Sequence, residues 1–181
     1  LYGQSVERSS AEKRSGAGLG RTFQAATLFP ELTVRESVLV AREGRHHRSA
    51  ALAALPIGPG RRAGRADAGL VGDLIDFLGL GRYADARIAD LSTGTRRIVE
   101  LAGILALDAT MLCLDEPTAG VAQKEGEAFG PLMLEIRREL GAAMLIIEHD
   151  VPLVMSMSDR VYCLETGRVI AEGEPDEIRN D

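Results

Sequence analysis

Aromatic side chains make up only 4% of the 181 residues. That scarcity argues against a nucleic-acid groove, in which stacking aromatics alternate with basic residues. Two cysteines occur, Cys113 and Cys163, each inside an apolar run. They read as small core residues of a reducing compartment, not as a disulfide or a metal pair. No His/Cys/Asp cluster has metal-cage spacing. No apolar run approaches the roughly 20 residues that a membrane-spanning helix needs, and the polar, Gly-rich residues 1–20 carry no signal-peptide pattern. The phosphate-cradling loop G-x-x-x-x-G-K-[ST] is also absent from the sequence.

What is present suffices for one domain, or one with a subdomain: 45% of residues are hydrophobic, enough for a real core. The net charge of −6 is unevenly spread, with 15 Lys/Arg against 10 Asp/Glu in residues 1–97 and 6 against 17 in residues 98–181. The arginines of the basic half are dispersed among Ala and Gly, which reads as a solvated helical surface; His46 and His47 fall in the same polar stretch and take the same reading.

Residues Gly18 to Phe23 form a short strand pattern. Thr33-Val34-Arg35-Glu36 has capping-box spacing, and the helix it starts runs to about Arg42 with Val34, Val38 and Ala41 on one face. Residues 44–66 read as a loop marked by Pro56, Gly58, Pro59 and Gly60. A helix is predicted from about Ala66 to Leu78, with Leu70, Leu74 and Phe77 or Leu78 inward and Gly79 or Gly81 as its stop. Ser92 then caps a helix whose apolar residues recur at Ile98, Leu101, Ala102 and Leu105. Met111–Leu114 and Ala142–Ile147 are continuous apolar strands separated by an amphipathic helix through Phe129, Leu132, Met133, Ile136 and Leu140. A short helix follows Asp150, a hairpin joins Arg160–Leu164 to Arg168–Glu172, and Pro175 opens a last helix. The alternation of strand and helix in the second half predicts an α/β core with a mostly parallel sheet, formed by residues 1–30 and 96–181. Residues 31–95 read as an inserted helical subdomain.

The chemistry concentrates at strand ends. Met111–Leu114 ends in Asp115 and Glu116, two adjacent carboxylates followed by Pro117. A carboxylate at a strand end can hold Mg²⁺ through its water shell, and its neighbour can polarise an attacking water. Two exposed acids at a turn are the bland alternative. His149 ends the other apolar strand and shares the sheet edge with Glu116 if the strands are parallel; there it can donate to a phosphate, although a lone His is more often a capping or packing residue. Ser92-Thr93-Gly94-Thr95 opens a helix, so its hydroxyls and N–H groups lie at a positive dipole end. An ordinary N-cap is the commoner reading of such a stretch. Gln24, the Gly-bearing helix start, the acid pair and the terminal His occur in that order.

With these motifs in that order, the sequence resembles the ATP-binding subunits of ABC transporters over nearly its whole length. The resemblance implies that Gln24, in Arg21-Thr22-Phe23-Gln24, is the Q-loop glutamine, which senses Mg²⁺ and the attacking water and contacts the membrane subunits. Leu91-Ser92-Thr93-Gly94-Thr95 matches the signature motif, usually L-S-G-G-Q, so Ser92, Thr93, Gly94 and Thr95 are implied nucleotide contacts. Met111 to Asp115 matches Walker B, with Asp115 toward Mg²⁺ and Glu116 as catalytic glutamate. Ala119 to Ala122 falls on the D-loop, and His149 matches the switch histidine. The stretches from Gly20 to Gln24 and Leu28 to Val34, with the ending from Arg160 to Glu177, look like the branched-chain amino acid importer group. The cofactors so implied are ATP and Mg²⁺. The implied partners are a second ATPase subunit paired head to tail and transmembrane permease subunits, with no nucleic acid, and the implied place is the cytoplasmic face of the membrane.

Departures from the family pattern are Thr93 and Thr95 for Gly and Gln of the signature, Ala122 for the D-loop Asp, and the missing Walker A lysine loop. The chain is therefore expected to be a fragment without its N-terminal portion, inactive alone, able to offer Ser92 and Gly94 to a partner's ATP. Two alternatives stand beside the transporter motor: a non-catalytic cassette that only completes a partner's site, and a soluble ABC ATPase outside transport. The 67 residues between Gln24 and Ser92 carry no heptads for a long coiled coil, which disfavours the latter. We expect the isolated 181-residue chain to bind ATP weakly or not at all. Titration with a fluorescent ATP analogue and Mg²⁺ checks this, and micromolar affinity would overturn it.

Overall fold

The computed structural model describes residues 1–23, 28–45, 59–122, 126 and 128–179, with backbone alone for 59–63. His46, His47, Pro56 and Gly58 lie outside the described residues. The elements in chain order are α1 (Ala11–Gly16), β1 (Leu19–Arg21), α2 (Val34–Arg45), α3 (Pro59–Phe77), α4 (Thr93–Ala106), β2 (Met111–Asp115), α5 (Phe129–Leu140), β3 (Ala143–Ile147), α6 (Val151–Met157), β4 (Val161–Glu165), β5 (Arg168–Gly173) and α7 (Pro175–Arg179). Two single 3₁₀ turns, Gly81–Tyr83 and Ile88–Asp90, lie between α3 and α4.

Among the described residues β1, β2 and β3 form a parallel sheet with β2 in the middle. Leu19 pairs with Met111, and Met111 with Ala143, so the three strands run in step. β4 and β5 form a separate antiparallel hairpin. Leu112 and Leu114 are fully buried and belong to one core with Leu101 and Leu105 of α4 and Met133 and Ile136 of α5. Each such aliphatic side chain contributes about 1.5–3 kcal/mol by leaving water. Gly20 allows α4 to lie directly on β1: a Cβ there would collide with the Ile104 side chain and press on Ala109 and Leu112.

Local chemistry accounts for the helix ends. The Thr33 N–H donates to the Glu36 carboxylate at 2.8 Å, and the Glu36 N–H returns to the Thr33 hydroxyl at 3.2 Å, a reciprocal capping box. These backbone and hydroxyl donors hold the Glu36 carboxyl below its ordinary pKa. α3 ends where Gly79 adopts φ +67° and the Leu80 N–H reaches back to the Ile75 carbonyl at 2.9 Å, a Schellman closure.

The sequence expectations shift in places. α3 begins at Pro59, inside the stretch read as a loop, because proline's fixed φ suits a first helical turn. Its most buried apolar side chains are Val71, Ile75 and, just past its end, the expected Leu78; Leu74 and Phe77 are partly buried against the same core, and Leu70 is 36% exposed. Stripes one residue apart share helical spacing, so only the docking partner distinguishes them. β3 is not buried on both faces: its side chains alternate, with Leu145 and Ile147 each 54% exposed. The cysteines lie in β2 and β4 as expected but are half-buried, not core, and burial raises the Cys113 thiol above its ordinary pKa.

Between Pro30 and Leu91 the described residues are helical or turn, with one isolated bridge from Thr33 to Arg87. A buried cation fastens this region. Arg42 of α2 donates to Asp67 of α3 at 3.2 Å, to the carbonyl of Ala106, the last residue of α4, at 2.9 Å, and to Asp108 just beyond it at 2.7 Å. Burial disfavours its charge, yet the hydrogen bonds and attraction of Asp108 and Asp67 prevail and raise the Arg42 pKa. Among the described residues no helix is long and apolar enough to cross a membrane.

Candidate functional site at the sheet edge

Because the three strands are parallel and in register, their C-terminal ends lie along one edge. In α/β sheets that edge is where ligands bind, since helix N-termini and free loop backbone converge there. Thr22 leaves β1, Asp115 and Glu116 end β2, and Glu148 and His149 follow β3. Thr22 is buried, and its hydroxyl accepts the Asp115 N–H at 3.1 Å, which ties the first strand end to the second. The Asp115 carboxylate is 29% exposed and faces the Arg21 guanidinium at 3.9 Å.

Glu116 and His149 meet as the parallel register predicts. His149 Nε2 lies 3.0 Å from Glu116 Oε1; the Glu116 side chain is 25% exposed and that of His149 80%. Glu116 takes φ +46°, a left-handed conformation rare for a residue with a Cβ and costing on the order of 1–3 kcal/mol. Its N–H donates to the Ile147 carbonyl at 2.9 Å, and its carbonyl accepts the Ala119 N–H at 3.0 Å. The turn that follows is held from β3: Glu148 Oε1 accepts the Thr118 N–H at 2.8 Å and the Thr118 hydroxyl at 2.6 Å.

The Ser92 loop is a true N-cap. The Ser92 hydroxyl accepts the Thr95 N–H at 3.1 Å and pairs with the Thr95 hydroxyl at 2.9 Å. Ser92 and Thr93 are exposed, whereas Gly94 and Thr95 are buried, so the four candidate contacts do not present alike. Arg96 anchors the loop from below, donating to the Ile88 and Ala89 carbonyls at 3.0 and 2.8 Å. A Cβ built on Gly120 would sit 3.8 Å from the Thr93 methyl, which places the turn after Glu116 beside this loop. A cavity of about 370 Å³ lies behind the two, lined mainly by apolar groups such as Phe77, Tyr83, Ile98, Phe129 and Leu132. Its surface is mainly apolar, which does not suit a phosphate.

Gln24 lies outside the described residues. Its neighbour Phe23 is fastened to α4: Arg97 donates to the Phe23 carbonyl at 3.0 Å and to Glu100 at 3.2 Å, and the Phe23 N–H points at Glu100 at 3.5 Å. No cluster of three metal-binding side chains occurs among the described residues.

An acid pair on the central strand, a histidine on the next and a Ser/Gly loop opening a helix are joined by similarity to known proteins. The family model described as ABC transporter matches residues 1–119. The chain belongs to the ABC transporter family. It is 33% identical over its whole length to the high-affinity branched-chain amino acid transport ATP-binding protein LivG of Escherichia coli K12, of which it spans 71%. It is 34% identical to the corresponding protein BraF of Pseudomonas aeruginosa, again over 100% of this chain and 71% of that one. In fold it is similar to the ADP conformation of an ATP-binding cassette of an ABC transporter, with a TM-score of 0.74, 28% identity, and 93% of this chain covering 66% of that one. ATPase activity and nucleotide binding are thus properties of its family.

Within this ABC chain the geometry adds residues that the motif reading left out. Thr22, Arg97, Glu100, Thr118 and Glu148 each hold a candidate site residue or its neighbour. Two of them carried a positional signal: Thr22 and Glu148 directly follow the C-terminal ends of β1 and β3, the edge where ligands bind in such sheets. Arg97 and Glu100 looked like helix surface and were legible only once α4 was docked.

Proposed function

We propose that the subunit containing this chain is the ATP-hydrolysing motor of an ABC importer for branched-chain amino acids or similar small solutes. It would pair head to tail with a second ATPase subunit on the cytoplasmic face of the membrane and drive transmembrane permease subunits. The observation that carries this reading is the contact of Glu116 with His149 beside Asp115, on a chain similar throughout to LivG and BraF.

In this reading Glu116 takes a proton from the attacking water, as a carboxylate held within reach of a proton and oriented by a neighbour can do. His149, which meets Glu116 through Nε2 in this structure, donates to the γ-phosphate when ATP is bound. The hard oxygens of Asp115, partly exposed and, among the described residues, met by a long ion pair to Arg21, suit a hydrated Mg²⁺, with Gln24 as a further contact. When bound, that ion supplies neutralising charge to the phosphates. Ser92, Thr93, Gly94 and Thr95, at the start of α4, serve the partner subunit's ATP through hydroxyls and N–H groups at a positive helix end. Residues 31–95 form a helical subdomain that moves with the Gln24 region when the dimer closes, the rest being the ATPase core.

The test is reconstitution of the complete subunit with its permease subunits in lipid vesicles. Uptake of leucine, isoleucine or valine that requires ATP and its hydrolysis is the expected result. Hydrolysis without any uptake of these solutes would remove the substrate assignment, and no hydrolysis would remove the motor.

A further inference from the structure

Glu148 has no role in the reading above, yet it is the side chain on which the turn after Glu116 closes. Its Oε1 takes two donors from one residue, the Thr118 N–H at 2.8 Å and hydroxyl at 2.6 Å. Its Oε2 lies 3.2 Å from the N–H of His149. One carboxylate therefore spans the turn after β2 and the backbone of the switch histidine after β3. A second link closes the same circuit through the side chains of Glu116 and His149, 3.0 Å apart.

The circuit encloses a strained residue. Glu116 has φ +46°, a conformation that persists only where the surroundings over-determine it. Pro117 follows it and is buried, so the next polar anchor along the chain is Thr118. Charge-assisted hydrogen bonds to a part-buried carboxylate are the stronger kind. Cut at Thr118, the turn would retain the Glu116 N–H bond to Ile147 and the Ala119 bond to Glu116, both on the Glu116 backbone itself. The Val121 N–H bond to the Thr118 carbonyl at 3.1 Å would also remain, so the turn would keep its internal bonds and lose its tie from Thr118 across to the segment after β3, beside Gly120, which borders Thr93.

We propose that Glu148 is a positioning residue for hydrolysis: by clamping Thr118 it sets the Glu116 carboxylate against His149 and fixes the path of the D-loop. This rests on the ATPase reading above. Glu148 itself touches neither water nor phosphate in this role.

The experiment has two arms. In the 181-residue chain, amide hydrogen exchange by NMR is compared between wild type and Glu148→Ala; faster exchange at Thr118, with core amides of β2 unchanged, is expected, and unchanged exchange at Thr118 overturns the clamp. In the complete subunit within its transporter, Glu148→Ala and Thr118→Val are each expected to lower kcat roughly 10- to 100-fold, the order of loss for a misplaced catalytic group, with little change in KM for ATP. Glu148→Gln keeps an acceptor oxygen for both Thr118 donors and is expected to stay close to the wild-type rate. The double variant Glu148→Ala/Thr118→Val is expected to be no slower than either single one, because the two partners form one interaction. A wild type that hydrolyses ATP alongside a Glu148→Ala variant at the wild-type rate overturns this role alone. A wild-type subunit that does not hydrolyse ATP overturns the ATPase reading and this role with it.

Discussion

Replacing Glu116 with glutamine in the complete subunit is expected to slow ATP hydrolysis by roughly 100- to 10,000-fold, the range supplied by a positioned general base, while ATP still binds. Glutamine has nearly the shape of glutamate and can still meet His149 Nε2 across 3.0 Å. The left-handed backbone at this position is held by main-chain bonds to Ile147 and Ala119, which the substitution leaves alone. What it removes is the basic oxygen, so the loss should fall on kcat and not on nucleotide affinity. Steady-state turnover together with a nucleotide-binding titration on the same preparation separates the two. An unchanged turnover number removes Glu116 from the general-base role.

The second large effect concerns stability. Arg42→Met should destabilise the chain by about 3–5 kcal/mol, the usual cost of removing one partner from a buried ion pair. The Arg42 and Asp67 side chains are 11% and 7% exposed, so Asp67 loses its guanidinium where water cannot replace it. Asp108 is 48% exposed and can be solvated after the change, so the larger penalty sits at Asp67. The same substitution frees the Ala106 carbonyl, which Arg42 caps at the end of α4. Against a total stability of about 5–15 kcal/mol for a domain, this is a large share. Urea unfolding of both proteins measures it as a lower midpoint. The double variant Arg42→Met/Asp67→Leu should recover much of the loss, because replacing a buried pair by apolar groups is often near neutral. No recovery would mean that the Ala106 and Asp108 contacts, not Asp67, carry the effect.

How much of this could be read from residues alone varied by element. The capping box at Thr33 and Glu36, the Ser92 cap and the Gly79 stop were legible because each depends on neighbours within a few positions. The same holds for β2, β3 and the terminal hairpin, whose apolar runs and turn residues are local signals. The inward face of α3 was placed only in part: Leu74, Phe77 and Leu78 pack on the core, but Leu70 is exposed and Val71 and Ile75 are buried, because stripes one residue apart share a period and docking chooses between them. The double exposure of Leu145 and Ile147 was invisible, since a continuous apolar run does not say whether one face or both are covered.

For the site, the residue types and their order were in the sequence, and with them the family. Asp115, Glu116, His149 and the Ser92 loop were singled out as candidates from short patterns, an apolar strand ending in polar residues or a hydroxyl opening a helix. Tertiary structure decided which of them meet. Parallel pairing of β2 with β3 put His149 Nε2 on Glu116, although 32 residues of chain separate them. It also decided what holds them: the Thr22 hydroxyl under Asp115, Arg97 on Phe23 and Glu148 on Thr118 all span long stretches of sequence. Local patterns determine what a segment is, since caps, periods and turns act over a few residues. Which side chains become partners depends on sheet register and helix docking, and those are settled only when the whole core packs.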